Sequence, residues 1–153
     1  MPFTMNAGPK IIYETLTTLL RGDATLKSLV NYTSKNPNIR RGFVLDGEWK
    51  TLLVYYLQTE TVMGDVSQKI RQVPLIVNMW TKENELILYD ISERVIQLLD
   101  NDDGVEDLLS KPGYLRVYGI SYVGEVSGMF FDETVKAYNR SLRFLLTVRK
   151  EGD

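Results

Sequence analysis

The sequence predicts an α+β fold, a mainly antiparallel β-sheet of about four to five strands with helices packed on one face. Three observations carry that reading. Residues 52–62 (LLVYYLQTETV) and 73–81 (VPLIVNMWT) are rich in β-branched and aromatic side chains, as strands are. Residues 82–99 then switch to helical spacing. Near the end, Leu142, Phe144, Leu146 and Val148 alternate with Ser141, Arg143, Thr147 and Arg149, the period-two pattern of a half-buried strand.

The elements follow in order. Lys10 to Arg21 comes after Pro9, a favourable first-turn residue, and repeats apolar side chains at Ile12, Leu16, Leu19 and Leu20 before stopping at Gly22. Asp23 is placed to cap a second helix, whose stripe is Leu26, Leu29 and Val30. Residues 33–50 (TSKNPNIRRGFVLDGEWK) are an irregular segment, with a short strand at 42–45 and a turn at Asp46-Gly47. In the first main strand Leu53, Tyr55 and Leu57 share one face and Tyr56, Gln58 and Glu60 the other. In the second, Val73, Leu75, Val77 and Met79 oppose Ile76, Asn78 and Trp80, and Pro74, which cannot donate to a ladder, places its start at an edge or a bulge. The connection at 63–72 is too long for a tight hairpin turn. The long helix carries Ile87, Ile91, Val95 and Leu98 toward the sheet and Asp90, Glu93, Arg94 and Gln97 toward water. Strands at 114–126 and 140–149 close the chain, joined by a long hairpin loop at 127–139 (SGMFFDETVKAYN).

With 153 residues, the chain suits one domain over 1–153, with an N-terminal extension at 1–9. The 44% hydrophobic and 25% charged content is that of an ordered globular protein. There is no Cys and no His, which removes thiolate and imidazole chemistry and closes most familiar enzyme mechanisms. No cofactor or metal is expected. The net charge of −2 supplies no Lys/Arg surplus for replacing phosphate counterions. Residues 1–9 lack the basic and apolar regions of a signal peptide, and no run of about 18 apolar residues occurs. The expectation is a soluble product made in the cytoplasm, with no membrane partner.

Each local cluster with chemical potential also has a plainer reading. Asp100, Asp102, Asp103, Glu106 and Asp107 suggest a cation loop but place Gly104 and Val105 where the EF-hand pattern wants a ligand and a glycine, so a solvated turn is the better reading. Asp46 with Glu48, and Asp132 with Glu133, are paired carboxylates with nothing around them to hold a substrate. Tyr55, Tyr56, Tyr114, Tyr118 and Tyr122 could form a base-stacking platform, yet strands favour Tyr anyway and the charge balance is wrong for nucleic acid. Met129, Phe130 and Phe131 are the most suggestive feature: at the tip of a polar loop they either fold back on the core or bury against another chain. Arg40 and Arg41 either pair with acids on a neighbour, such as Asp65 or Asp132, or are solvated.

The helical lead (IIYETLTTLL, then DATLKSLV), VYYLQTET, QVPLIVNMWTKE with its following helix, and RSLRFLLTVRK together resemble the tail terminator proteins of long-tailed bacteriophages, the tail-completion family that includes the minor tail protein U type. The resemblance spans residues 11–149 and rests on the order of elements, the size, and the Trp80 strand leading into a helix. It implies a hexameric ring on the head-proximal end of the tail tube, which stops tube growth and gives the head connector a docking surface. The implied partners are copies of itself, the tail tube protein and the head–tail connector protein. DNA passes through the lumen without sequence-specific contact, and the location is the virion tail. A neighbouring neck, connector or tube-like virion protein is the nearest alternative, and a sheet-based nucleic-acid binder a more distant one. A closed ring needs two different complementary patches per subunit. The loops at 63–72 and 127–139 are the expected halves, with Arg40, Arg41, Met63, Asp65, Lys69, Arg71, Met129, Phe130, Phe131, Asp132 and Lys136 as expected contacts.

Overall fold

A computed structural model of the chain describes residues 7–42, 45, 47–58, 61–62, 70–100 and 115–150. Two helices lead: α1, Ala7–Gly22, and α2, Ala24–Val30. On α1 the four-residue spacing of Ile12, Leu16 and Leu20 builds one buried stripe. Asp23 caps α2 as expected, its carboxylate accepting from Leu26 N at 2.8 Å, and Asn31 ends the helix in the left-handed region at φ 56°. The same carboxylate receives Arg94 of the third helix, Nη2 to Oδ1 at 2.5 Å and Nε to Oδ2 at 2.9 Å. The Arg94 hydrogen bonds hold the Asp23 carboxyl below its ordinary range despite partial burial, and Asp23 in turn raises Arg94.

The strands are β1, Ile39–Arg41; β2, Thr51–Leu57; β3, Thr61–Val62; β4, Ile70–Thr81; β5, Leu115–Asp132; and β6, Ala137–Lys150. Between β4 and β5 lies α3, Ile87–Leu99. The sheet order is β1-β2-β4-β6-β5, with β3 pairing β4 beyond the end of β2. Among the described strands only β1 and β2 run parallel; the other pairings are antiparallel. Helices line one face, where Leu53, Tyr55, Leu75, Val77, Leu142 and Phe144 bury against α1, α2 and α3. The α+β reading with helices on one face therefore holds. Among the described residues, no helix is long and apolar enough to cross a membrane.

The centre of the sheet is buried on both faces. Leu52, Val54, Trp80 and Ala137 form a second, smaller cluster under Trp49 on the helix-free side, with Lys82 Nζ 4.3 Å from the Trp49 ring centre. Asn38 pins the irregular segment to this region, donating to Val30 O and, at 2.9 Å, to Thr51 O.

Several expected boundaries move, each for a local reason. The long helix begins at Ile87 instead of Lys82, because Thr81 Oγ1 accepts from Glu83 N and Asn84 Oδ1 from Leu86 N, holding 82–86 in turns. Its buried stripe is Leu88, Ile91, Ser92, Val95 and Leu99, so Ile87 and Leu98 sit at the margin. A short strand is found at Ile39–Arg41 and ends at Gly42, φ 83°, while residues 43–44 of the strand expected at 42–45 lie outside the described residues. Pro74 lies not at the start of a strand or at an edge but within interior strand β4, and the expected bulge is there: the register on β4 shifts by one residue between the Leu57–Leu75 pair and the Thr61–Gln72 pair. Its carbonyl accepts from Gln58 N just past the last residue of β2, so its missing donor faces the place where β2 has left the ladder. The expected hairpin loop at 127–139 is mostly strand: β5 runs to Asp132 and β6 starts at Ala137.

Candidate assembly surfaces

Strand β5 is one edge of the sheet, with β6 as its neighbour in the sheet order. Its register against β6 shifts between Val117 and Gly119, Tyr122 and Gly124, Glu125 and Ser127, and Ser127 and Phe130. At the first three shifts the residue skipped is Tyr118, Val123 or Val126, and each is an exposed large apolar side chain. Bulges thus turn apolar residues outward from an otherwise alternating strand. They also interrupt the row of free main-chain groups that makes a long edge strand sticky.

At the far end of the hairpin, Asp132 Oδ1 accepts from Thr134 N and Val135 N at 2.9 and 3.0 Å, and Lys136 N donates to Asp132 O at 2.7 Å. Lys136 takes φ 59° to close the turn. The Met129, Phe130 and Phe131 cluster does not share one environment. Met129 packs partly buried against the main core, while Phe130 and Phe131 each stay 44% exposed. Phe131 lies edge-on to Tyr138 with ring centres 5.1 Å apart. Phe130 stands opposite Asn139, on the helix-free face.

Next to this end, the Arg140 guanidinium lies 4.7 Å from the Tyr89 ring centre and its Nε donates to Glu125 Oε1 at 2.8 Å. Tyr89 and its neighbour Leu86 are exposed. Aromatic rings with a packed arginine form the composition enriched where proteins bury surface against partners.

The opposite edge is β1, and its chemistry is different. Arg40 points to the helix-free side with Val54 and its Nε donates to Pro37 O at 2.8 Å. Arg41 is exposed on the helix side, in a groove with Glu14, Thr17, Thr18, Arg21 and Tyr55. Arg21 Nε donates to Ile39 O at 2.9 Å, tying α1 to this edge. Burial pushes the Tyr55 phenol above its ordinary pKa, and its hydroxyl is bonded to Thr17 Oγ1.

The expected contacts therefore separate. Met129, Phe130, Phe131, Asp132 and Lys136 gather at the end of the β5–β6 hairpin; Arg40 and Arg41 lie on the opposite edge. Arg71 belongs to neither, standing near the start of interior strand β4 opposite Val148. Met63, Asp65 and Lys69, like residues 101–107 of the acidic turn, lie outside the described residues. Leu86, Tyr89, Tyr118, Val123, Glu125, Val126 and Arg140 join the surface without having been expected. For Tyr118, Val123 and Val126 a signal exists in the broken period-two alternation of residues 114–126. Of the five tyrosines of the base-stacking alternative, Tyr55 is fully buried under α1 and Tyr122 packs on Phe144 at 5.5 Å, Tyr56 is half-buried, Tyr118 is exposed, and Tyr114 lies outside the described residues.

No family model matches the chain, and no curated protein matches it. Among solved structures, a chain of one described as the virion of native gene transfer agent (GTA) particle is similar in fold, with a TM-score of 0.58 and 17% identity over 92% of each chain.

Proposed function

We propose that the chain is a virion structural subunit, without catalytic activity, that forms a ring capping the head-proximal end of a phage-type tail tube. In this reading the ring is a hexamer, stops tube polymerisation and offers its outer face to the head–tail connector, while DNA passes through its lumen. The observation that carries the proposal is the pair of unlike edges on one sheet. Strand β5 is bulged, apolar and acidic at Glu125, whereas β1 is short and basic at Arg40 and Arg41. Two different patches on opposite sides of a subunit are what a head-to-tail ring requires, whereas a two-fold dimer needs one self-complementary patch. The fold likeness to a chain of a gene transfer agent virion over 92% of both chains supports the same reading. So does the resemblance of residues 11–149 to tail terminators.

The test is particle mass of the purified protein across concentration, with negative-stain images, alone and with polymerising tube subunits. Six-fold rings, and tubes whose growth halts when the protein is added, are expected. A protein that stays monomeric with tube ends present sinks the reading. Rings that leave tube growth unchanged transfer it to a neighbouring connector.

A further inference from the structure

We infer that the partner of the β1 edge is the β5 edge of a second copy of this chain, and that Arg41 of one copy meets Glu125 of the next. This deepens the ring reading and rests on it. Arg41, Tyr55, Val77, Leu142 and Glu125 are successive cross-strand partners, a single row that runs from one edge of the sheet to the other. Tyr55, Val77 and Leu142 belong to the core under the helices, so the whole row lies on the helix side. Its two ends are exposed and carry opposite charge.

Ring symmetry makes this row consequential. A cyclic operation is a rotation without translation along its axis. The inferred contact takes the two edge strands that form the seam to lie close to that axis, so that a residue at a given height on one edge meets the residue at the same height on the neighbour's other edge. The row therefore brings Arg41 to Glu125 and, one residue along, Arg40 to the level of Ser127 through Val54, Asn78 and Ser141.

Strand direction agrees. Strands β1, β2 and β6 run one way and β4 and β5 the other, so β1 of one copy faces an antiparallel β5 of the next. The seam is made mainly by side chains, because β1 has three residues and β5 is bulged on both sides of Glu125. Exposed Val123 and Val126 flank Glu125 and become buried there, lowering the local dielectric and strengthening the charge pair. Arg140 is bonded to Glu125 Oε1, and the second carboxylate oxygen remains for Arg41.

The experiment uses two variants, Arg41→Glu and Glu125→Lys, each checked for folding by urea unfolding and then sized alone and as an equimolar mixture. Alone, each places like charges at every seam, and both are expected to dissociate. Mixed, an alternating ring restores opposite charges at every seam. The native Arg41 and Glu125 meet at half of the seams, and the two substituted side chains, with their signs exchanged, meet at the other half. Rings are therefore expected to return. Wild-type-like rings from either variant alone, or folded variants whose mixture stays dissociated, overturn the inference. Failure of the wild-type chain to form rings even on tube ends overturns the ring reading instead, so the two failures are distinguishable. If Glu125→Lys does not fold beside Arg140, Arg41→Gln and Glu125→Gln replace the pair in a double-mutant cycle. A coupling of about tenfold or more in the ring dissociation constant is expected, and additive effects overturn the contact.

Discussion

The centre of the sheet and its β5–β6 hairpin are made of similar strands put to different uses. In β2 and β4 both faces are covered: Leu53, Tyr55, Leu75 and Val77 by helices, Leu52, Val54 and Trp80 by the Trp49 segment. In the hairpin one face is covered, while Tyr118, Val123, Val126, Phe130 and Phe131 are left in water. Burial on two faces yields stability. An apolar edge left open yields little to the monomer and a great deal to whatever covers it, at about 25 cal/mol per Å² of apolar surface removed from water.

The largest effect expected from this contrast is at the centre. Leu75→Ala leaves a cavity between β4 and the helices and lowers stability by about 3 kcal/mol, read as a fall in the urea midpoint without a change in slope. A loss within a few tenths of a kcal/mol would erase the distinction between the regions.

The helical cover is next. Asp23→Ala removes the α2 cap and strands Arg94, at a cost of about 2 kcal/mol. Because the folded-state carboxyl titrates below its unfolded value, its contribution is present above about pH 4 and is lost as pH falls through the folded pKa. Urea unfolding between about pH 6 and pH 2 should show a steeper acid-side decline for the wild type than for Asp23→Ala, and parallel curves would remove the ion pair from the account.

At the hairpin the balance reverses. Phe130→Ser with Phe131→Ser costs the monomer about 1 kcal/mol, mostly the edge contact with Tyr138, yet is expected to abolish the proposed assembly, as sizing of the folded double variant should show. Unfolding of this double variant would assign the two rings to the core after all. The smallest effect belongs to Lys136→Gly, which relieves a positive φ and raises stability by about 0.5 kcal/mol in urea unfolding. If assembly survives that change, Lys136 serves the turn and not the contact.

Where local chemistry and burial agree, the sequence is readable. The alternation at 141–149 names the two faces of β6, and the spacing of Ile12, Leu16 and Leu20 names the buried side of α1. Bulges defeat that reading in β5, because each skipped residue reverses the alternation and makes 127–139 resemble a loop when it is largely strand. The helix start is hidden because the hydroxyl of Thr81 and the amide of Asn84 satisfy backbone donors that a helix would leave open. Of the surface, the Phe130–Phe131 pair is legible from its neighbours alone. Tyr89, Glu125 and Arg140 are not, since they meet across three elements whose pairing no local pattern encodes.

The parallel pairing of β1 with β2 has a consequence for the size of the proposed ring. Adding a fifth strand antiparallel to β2 would reverse the direction of that edge and turn every seam with the next copy's β5 into a parallel one. Added parallel, β1 leaves the polarity of the edge as β2 set it. In the proposed ring it would therefore act as a spacer: with six copies it would lengthen the circumference by about 29 Å, one strand spacing per subunit, and widen the bore by about 9 Å without changing how the copies join.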